Sequence, residues 1–204
     1  MLSERTPIAV LVSGGGTNLQ ALIDANLEAG QIVLVISSQA GAYALERAKN
    51  AGIPGIAVER KAFPDQAAFE ARLIELLNEY GIELIVLAGF MTILSADFTS
   101  RYPKRILNIH PSLIPSFCGK GYYGLRVHEE ALKRGVKLTG ATVHFVNEIP
   151  DGGEIILQQA VAVEPDDTPR SLQLRVMQQA EWKLLPQAAE LISDKIRREK
   201  YERV

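Results

Sequence analysis

Residues 8–18 read IAVLVSGGGTN. The five apolar residues at the start of this stretch are typical of a strand buried on both faces of a parallel sheet. The three glycines allow a tight turn, and the residues from Thr17 onward repeat leucine and isoleucine at helical spacing. The stretch therefore predicts a strand, a glycine loop and a helix, which together form the first unit of an α/β fold.

The glycine loop is itself a candidate phosphate site, formed by Gly14, Gly15, Gly16, Thr17 and Asn18. Free amides and the positive end of the dipole at a helix start attract a phosphate, which glycines allow to come close. Position 19 is a leucine, so the dinucleotide fingerprint is incomplete, and the lysine-containing ending of a nucleoside triphosphate loop is absent. The expected ligand is a phosphomonoester, and the alternative is a tight turn that binds nothing.

Strands and helices alternate over the first 115 or so residues. Apolar periodicity predicts strands at 8–12, 32–36, 55–58, 84–88 and 106–109, and helices at 17–28, 42–51 and 66–80. Such alternation implies βαβ units with parallel strands. The predicted fold class is therefore α/β, with a Rossmann-like, mostly parallel and twisted sheet flanked by helices.

The pattern changes in the second half of the chain. A glycine-rich loop at 119–124 leads into a helix of about ten residues that ends at Gly135. Strands predicted at 138–146 and 154–163 flank a turn and form an antiparallel extension of the sheet. A long amphipathic helix is expected at 168–192, followed by a charged, solvated tail at 193–204. We interpret residues 1–204 as one domain with its core in about 7–192.

The composition bears on partners and location. The chain has 204 residues, 47% of them apolar, and a net charge of −2, which gives no reason to expect nucleic acid as a partner. No apolar run reaches the roughly 18 residues of a membrane span. Cys118 is the single cysteine, and because the first strand is predicted to begin almost at once, we expect no targeting peptide before it. We expect a cytoplasmic monomer or homodimer that acts on small molecules.

Residues 106–115 read ILNIHPSLIP and carry the strongest candidate chemistry. Side chains alternate along a strand, so Asn108 and His110 face the same way, and Pro111 ends the strand. Ligands bind at this carboxyl end in open α/β sheets. An amide donor beside an imidazole suits a reaction that builds negative charge on a carbonyl oxygen. The outgoing loop with Ser112 would support the site; the alternative is a strand end whose side chains are satisfied internally.

Three further features are less specific. The run Pro150-Asp151-Gly152-Gly153 has the composition of a plain turn, but Asp151 could also return to His110 and favour its protonated form. His144 lies on a predicted strand, where a structural role is commoner, and His128 is expected to be a surface or partly capped residue at the start of a helix. The three histidines lack metal-site spacing and there is no cysteine pair, so no metal site is indicated.

Four stretches occur in a recognisable order: SGGGTN (13–18), LAGFM (87–91), NIHPSLIP (108–115) and DGG (151–153). Together they resemble the folate-dependent formyltransferases, and the third stretch is highly specific for that superfamily. The glycine loop makes the chain similar to its phosphoribosylglycinamide formyltransferase branch, over about residues 7–192. The resemblance implies a formyltransferase fold and transfer of the formyl group of 10-formyltetrahydrofolate to the amine of glycinamide ribonucleotide, in purine biosynthesis and without a metal.

The resemblance also implies roles for individual residues. Asn108 and His110 would be the catalytic pair, with Asp151 as their partner. The residues implied in binding glycinamide ribonucleotide are Gly14, Gly15, Gly16, Thr17, Asn18, Gln178 and Glu181. The residues implied in binding folate are Met91, Thr92, Ile93, Leu94, Asn108, Asn147, Glu148, Ile149, Pro150 and Asp151.

The chain departs from the family pattern in places, and two other functions stay open. Gln66 and Thr92 stand where family members often carry arginine, the former near the folate tail, and the loop at 118–126 is longer than in many members. A formyltetrahydrofolate hydrolase would use the same Asn108, His110 and Asp151 with water as acceptor. A non-catalytic module that binds a phosphorylated metabolite would need the glycine loop alone.

Overall fold

The computed structural model describes residues 5–202 and contains one seven-stranded sheet. The strands are β1 (Thr6–Val12), β2 (Gly30–Ser37), β3 (Gly55–Ala57), β4 (Leu84–Leu87), β5 (Ile106–His110), β6 (Leu138–Phe145) and β7 (Ile155–Ala162). The helices are α1 (Thr17–Asp24), α2 (Tyr43–Asn50), α3 (Gln66–Glu79), α4 (Ala96–Ser100), α5 (Leu125–Arg134), α6 (Pro169–Val176) and α7 (Trp182–Tyr201). A 3₁₀ turn lies at Arg60–Ala62 and a π-helical turn at Met177–Glu181.

The sheet confirms the predicted fold class. Its strand order is β3-β2-β1-β4-β5-β6-β7, in which β1 to β5 are parallel and β6 and β7 are antiparallel additions beside β5. In the pairing of β5 with β6, Asn108 lies opposite His144 and His110 opposite Thr142. The antiparallel register therefore adds a second histidine to the end of β5 that carries the candidate catalytic pair.

Helices cover both faces of the sheet, which explains the uninterrupted apolar sequence of β1. Ile8, Val10 and Val12 pack on one face in the cluster that includes residues of α1 and α7. Ala9 and Leu11 pack on the other face in the cluster that includes residues of α3. Within residues 5–202, no helix has the length and apolar character needed to cross a membrane.

The C-terminal helical segment differs from its prediction. The predicted single helix at 168–192 is instead α6, a π turn and α7, and α7 continues to Tyr201. Pro186 lies one turn inside α7 and has no amide to donate to the helical carbonyl one turn earlier, and the π turn lies directly before α7. The prediction of a solvated tail from 193 was wrong for the described residues, because Ile196 is buried and Arg105 Nη2 lies 2.9 Å from Glu199.

The position of His128 was also predicted wrongly. This histidine, on α5, is fully buried, and neither ring nitrogen has a hydrogen-bond partner among residues 5–202. Burial lowers the pKa of His128 to about 4, with a smaller lowering from the charge of His110. An uncharged imidazole is therefore buried within the protein at this position of α5.

We expect His128→Leu to make the protein less sensitive to acid. Between pH 6.5 and about 4 the unfolded chain binds a proton at His128 that the native protein does not, so stability falls as the pH falls. At pH 5 this effect lowers the free energy of unfolding by on the order of 2 kcal/mol, and at pH 7.5 the effect is absent. Denaturant unfolding of both proteins at pH 5 and pH 7.5 would measure the effect. If the variant and the wild type lose the same stability between these pH values, His128 is not the group responsible.

Candidate active site

Four polar side chains meet at the carboxyl end of β5. Asn108 Nδ2 lies 3.2 Å from His144 Nε2 and 3.5 Å from Asp151 Oδ1. His110 Nδ1 lies 3.5 Å from Asp151 Oδ2, and His144 Nε2 lies 3.6 Å from the other carboxylate oxygen. The return of Asp151 to His110, which the spacing could not prove, is thus present in the structure.

Hydrogen-bond chemistry assigns the protons on the two histidines. A carbonyl oxygen only accepts, so His110 donates from Nε2 to the Phe117 carbonyl at 2.8 Å, and its Nδ1 is left facing Asp151. His144 donates from Nδ1 to the Phe145 carbonyl at 2.8 Å. In its neutral form, His144 Nε2 then accepts from the Asn108 amide, which fixes how that amide is turned. The sequence favoured a structural role for His144, but the structure places it against the amide of Asn108.

The environments of His110 and Asp151 shift both pKa values downward. Burial lowers the pKa of His110, and this outweighs the raising effects of Asp151 and the Phe117 carbonyl. Burial would raise the pKa of Asp151, but His144, His110 and the Gly119 amide together lower it. The pair therefore favours a neutral imidazole beside a carboxylate in the free protein, whereas the sequence-based hypothesis had Asp151 hold His110 protonated.

The turn that presents Asp151 is sterically tight. Asp151 has a φ of +56°, a left-handed conformation that few residues other than glycine adopt. At Gly153, a Cβ atom would lie 1.7 Å from the Phe145 carbonyl oxygen. The Gly119 amide donates to Asp151 Oδ2 at 2.8 Å, so the glycine-rich loop also holds the carboxylate. Strain of this kind persists where the surrounding structure imposes it, and it concentrates at functional sites.

Two adjoining cavities share this cluster. The larger, of about 660 Å³, is lined by Asn18, Asn108, His110, Asp151 and Glu181 among others. The smaller is a cleft between two segments, 91–94 and 147–151, and is also lined by Asn108, His144 and Asp151. Asn108 and Asp151 thus form part of both walls, as do Met91 and Ile93. A group carried by a molecule in the cleft can reach a molecule in the larger cavity at this junction.

The glycine loop contributes to the larger cavity through Asn18. Gly16 has a φ of +72° and leads directly into α1, whose first turn receives no side-chain cap. Gly14 and Gly15 are exposed, Gly16 and Thr17 are half-buried, and none of these four lines the cavity itself. Ser13, just before them, accepts a hydrogen bond from the Met91 amide at 2.8 Å and shares one with Ser38 at 2.6 Å.

The π turn brings Glu181 into the larger cavity. Its carboxylate accepts from Asn18 Nδ2 at 2.7 Å, and burial raises its pKa to about 7 despite that hydrogen bond. The structure does not bring Gln178 to the cavity; it is exposed on the outer side of the same turn, and Gln173 and Met177 line the cavity instead. The family resemblance implied both Gln178 and Glu181, but the π turn at Met177–Glu181 directs only Glu181 to the cavity.

Sequence reasoning placed Ser112 at the site and missed several residues of the glycine-rich loop. Ser112 is fully buried and donates to the Ser116 carbonyl at 2.5 Å, so it stabilises the outgoing loop rather than facing the cavity. Lys120, Tyr122 and Tyr123 line the larger cavity instead. The run of glycines and aromatics was the available signal for this wall. Among residues 5–202, no group of three or more His, Cys, Asp or Glu side chains is arranged to hold a metal ion.

The chain is similar to known proteins over most of its length. It is 43% identical over 182 residues to the phosphoribosylglycinamide formyltransferase of Haemophilus influenzae, covering 88% of this chain and 83% of that protein. The Escherichia coli enzyme of the same name is 44% identical over 175 residues, covering 84% and 80%. The trifunctional purine biosynthetic protein adenosine-3 of Bos taurus is 45% identical over 193 residues, 93% of this chain, but the chain spans only 18% of that relative's length.

The structural comparison agrees with the sequence comparison. The crystal structure of glycinamide ribonucleotide transformylase 1 from Symbiobacterium toebii superposes with a TM-score of 0.87 and 42% identity, covering 94% of this chain and 89% of that one. The resemblance drawn from the four motifs is thereby confirmed. The formyl transferase family pattern matches residues 6–189, and the chain belongs to that family.

Proposed function

We propose that this protein transfers the formyl group of 10-formyltetrahydrofolate to the amine of glycinamide ribonucleotide, giving the formylated ribonucleotide and tetrahydrofolate in purine biosynthesis. The observation that carries the proposal is the junction of two cavities at Asn108 and Asp151, with His110 beside them. Two substrates need two sites that meet where the transferred group changes partner. The relatives named for this activity support the same choice of substrates.

Each cavity suits one substrate. The cleft between 91–94 and 147–151 is lined largely by apolar side chains and backbone, which suits the flat pteridine ring of the folate. The larger cavity reaches Asn18 at the start of α1 and Glu181 on the π turn, which suits a phosphorylated ribose carrying a polar amide. The phosphate would lie over the amides of the glycine loop at residues 14–18, outside the cavity lining itself.

The chemistry is a direct transfer through a tetrahedral intermediate. The glycinamide amine attacks the formyl carbon, and the carbonyl oxygen becomes negatively charged. The Asn108 amide, turned by His144, donates a hydrogen bond to that oxygen and lowers the energy of the transition state. The bond from the carbon to the folate nitrogen N10 then breaks, so the formyl group remains on the glycinamide.

Proton transfer falls to His110 and Asp151. The attacking amine must lose a proton, and N10 must gain one as it leaves. Near neutral pH, His110 is the group in this site best able to exchange a proton. Its lowered pKa keeps the imidazole neutral, so the ring can accept a proton. Asp151, 3.5 Å away, stabilises the imidazolium while it carries the proton.

The requirements of this proposal are two small molecules and no metal. We also propose, from composition, that the protein works in the cytoplasm as a monomer or homodimer, without nucleic acid or a membrane as partner. Sedimentation of the purified protein would separate monomer from dimer.

The deciding experiment follows the absorbance change as 10-formyltetrahydrofolate loses its formyl group. We expect loss that depends on added glycinamide ribonucleotide and yields one formylated ribonucleotide per tetrahydrofolate. Loss without the ribonucleotide would identify a hydrolase with water as acceptor. No loss from a folded protein that binds the ribonucleotide would favour a binding module.

We expect Glu181→Gln to weaken the ribonucleotide site alone. The substitution keeps the size of the side chain and removes the carboxylate that Asn18 orients at 2.7 Å. A hydrogen bond to a charged or polarised group contributes about 1.5–3 kcal/mol, so KM for the ribonucleotide should rise about tenfold or more, with KM for the folate unchanged. Gln179→Ala, an exposed neighbour on the same turn, serves as control. Equal rises in both KM values would contradict this role.

A further inference from the structure

The three glycines of the glycine loop are held from one side by α2. The Ala44 amide donates to the Gly14 carbonyl at 3.1 Å, and Arg47 Nε donates to the Gly15 carbonyl at 2.8 Å. Gly16 packs closely on the same helix, since a Cβ at this position would lie 2.6 Å from the Ala44 Cβ. Two successive carbonyls of the loop therefore face α2.

The direction of these carbonyls determines where the amides of the loop point. The C=O and N–H of a trans peptide point in opposite directions, so the Gly15 and Gly16 amides face away from α2. Neither amide forms a hydrogen bond within residues 5–202, and the amides of Thr17 and Asn18, at the start of α1, are likewise unpaired there. Four successive amides are thus available to an anion, and the first two take their direction from α2.

The Arg47 side chain is itself fixed by its neighbours. Its Nη1 donates to Gln20 Oε1 on α1 at 3.0 Å, and its guanidinium carbon lies 5.0 Å from the centre of the Tyr43 ring. Gln20 is held in turn, because its Nε2 donates to Asp24 Oδ1 at 2.8 Å. Throughout residues 5–202, no carboxylate forms an ion pair with Arg47. The guanidinium therefore links α2 to α1 and to the glycine loop without being drawn to an opposite charge.

We propose that Arg47 is a positioning residue, which turns the Gly15–Gly16 peptide so that the glycine loop receives the phosphate of glycinamide ribonucleotide. This inference rests on the proposed function. Three glycines in a row can adopt many conformations, and the bond from Arg47 restricts them before the ligand arrives. A loop that is already ordered loses less entropy on binding, so this bond contributes to affinity. Arg47 does not line the larger cavity, and it acts through the loop rather than by touching the phosphate.

Two substitutions separate the hydrogen bond of Arg47 from its charge. Arg47→Gln removes the charge but keeps a nitrogen donor at the position of Nε along the side chain, whereas Arg47→Met removes both. With glycinamide ribonucleotide as substrate, Arg47→Met should raise KM about five- to tenfold and Arg47→Gln no more than about twofold, because water replaces part of a charge-assisted hydrogen bond and the glutamine amide replaces more of it. Lys49→Gln, which removes an exposed charge from the same helix, is the matched control.

A substrate without the phosphate isolates the proposed role. With glycinamide ribonucleoside, Arg47→Met and wild type should have the same KM, and their KM for 10-formyltetrahydrofolate should not differ either. An equal rise in KM for the ribonucleoside and the ribonucleotide would show that Arg47 only supports the fold, and would overturn the inference. Equal rises in Arg47→Gln and Arg47→Met would also overturn it, because the charge would then act on the phosphate directly. No rise in either variant would overturn it as well.

Equilibrium binding separates the failure of this inference from that of the proposed function. If wild type transfers no formyl group, the affinities of wild type, Arg47→Gln and Arg47→Met for glycinamide ribonucleotide and its ribonucleoside still decide. A phosphate-dependent loss of affinity in Arg47→Met that Arg47→Gln restores supports the inference, and identical affinities contradict it. A folded wild type that binds neither molecule contradicts both the inference and the proposed substrate.

Discussion

Asn108→Ala is expected to lower kcat by about 100- to 1000-fold while leaving KM for both substrates within a few-fold of wild type. Removal of one oxyanion donor typically has this effect, because the hydrogen bond strengthens as charge develops on the oxygen. The Asn108 amide lies at the junction of both cavities and is held by His144 at 3.2 Å, so its donor is already positioned before the reaction. Steady-state kinetics with each substrate varied in turn would measure the effect.

Two further variants help to interpret the loss of turnover expected for Asn108→Ala. Asn78→Ala removes an exposed amide from α3, far along the chain from the site, and should behave as wild type. His144→Leu removes the acceptor that turns the Asn108 amide, and should lower kcat by about tenfold without raising either KM, since the donor remains but is no longer fixed. A parallel loss of folate affinity and turnover in Asn108→Ala would instead assign Asn108 to folate binding.

Gly153→Ala is expected to destabilise the protein and to abolish most of its turnover. The added Cβ would lie 1.7 Å from the Phe145 carbonyl oxygen, a distance no pair of such atoms tolerates, so the backbone must shift. Overpacking of this kind typically costs about 1–3 kcal/mol, and a clash against backbone belongs at the upper end. The shift displaces Asp151, two residues earlier, from His110 and His144.

Thermal unfolding and kinetics together would test this expectation. Gly41→Ala is the matched control, because a Cβ there meets no atom within 4 Å and its backbone is not in the left-handed region. We expect Gly41→Ala to leave both stability and kcat near wild type. A Gly153→Ala protein with unchanged kcat would show that Asp151 does not depend on this turn for its position.

Parts of the site could be predicted because they are local in sequence. Asn108 and His110 follow from strand alternation, and the glycine loop from its composition. Asp151 is separated from His110 by 41 positions, so their contact depends on how the β6–β7 hairpin returns to β5. A turn rich in Asp and Gly gives the same sequence signal with or without such a contact, so the family resemblance supported this assignment better than the pattern did.

Other parts could not be predicted because they depend on packing. The contact of Asn18 with Glu181 joins residues 163 positions apart, through a π turn that no periodicity shows. His128 is polar, which predicts exposure, yet it is completely buried. The prediction failed there because apolar neighbours from distant segments decide burial, and a single residue's polarity does not.

The hydrogen bond between the Ser13 hydroxyl and the Met91 amide links the two candidate sites. Ser13 directly follows β1 and leads into the glycine loop, and its hydroxyl accepts a hydrogen bond from the amide of Met91, which lines both cavities. The two candidate sites therefore share one hydrogen bond, and an adjustment of the loop around a phosphate acts on the segment that would hold the pteridine. Whatever factor the ribonucleotide applies to folate affinity, the folate must apply the same factor to ribonucleotide affinity. Measuring one affinity with and without the other substrate thus determines both.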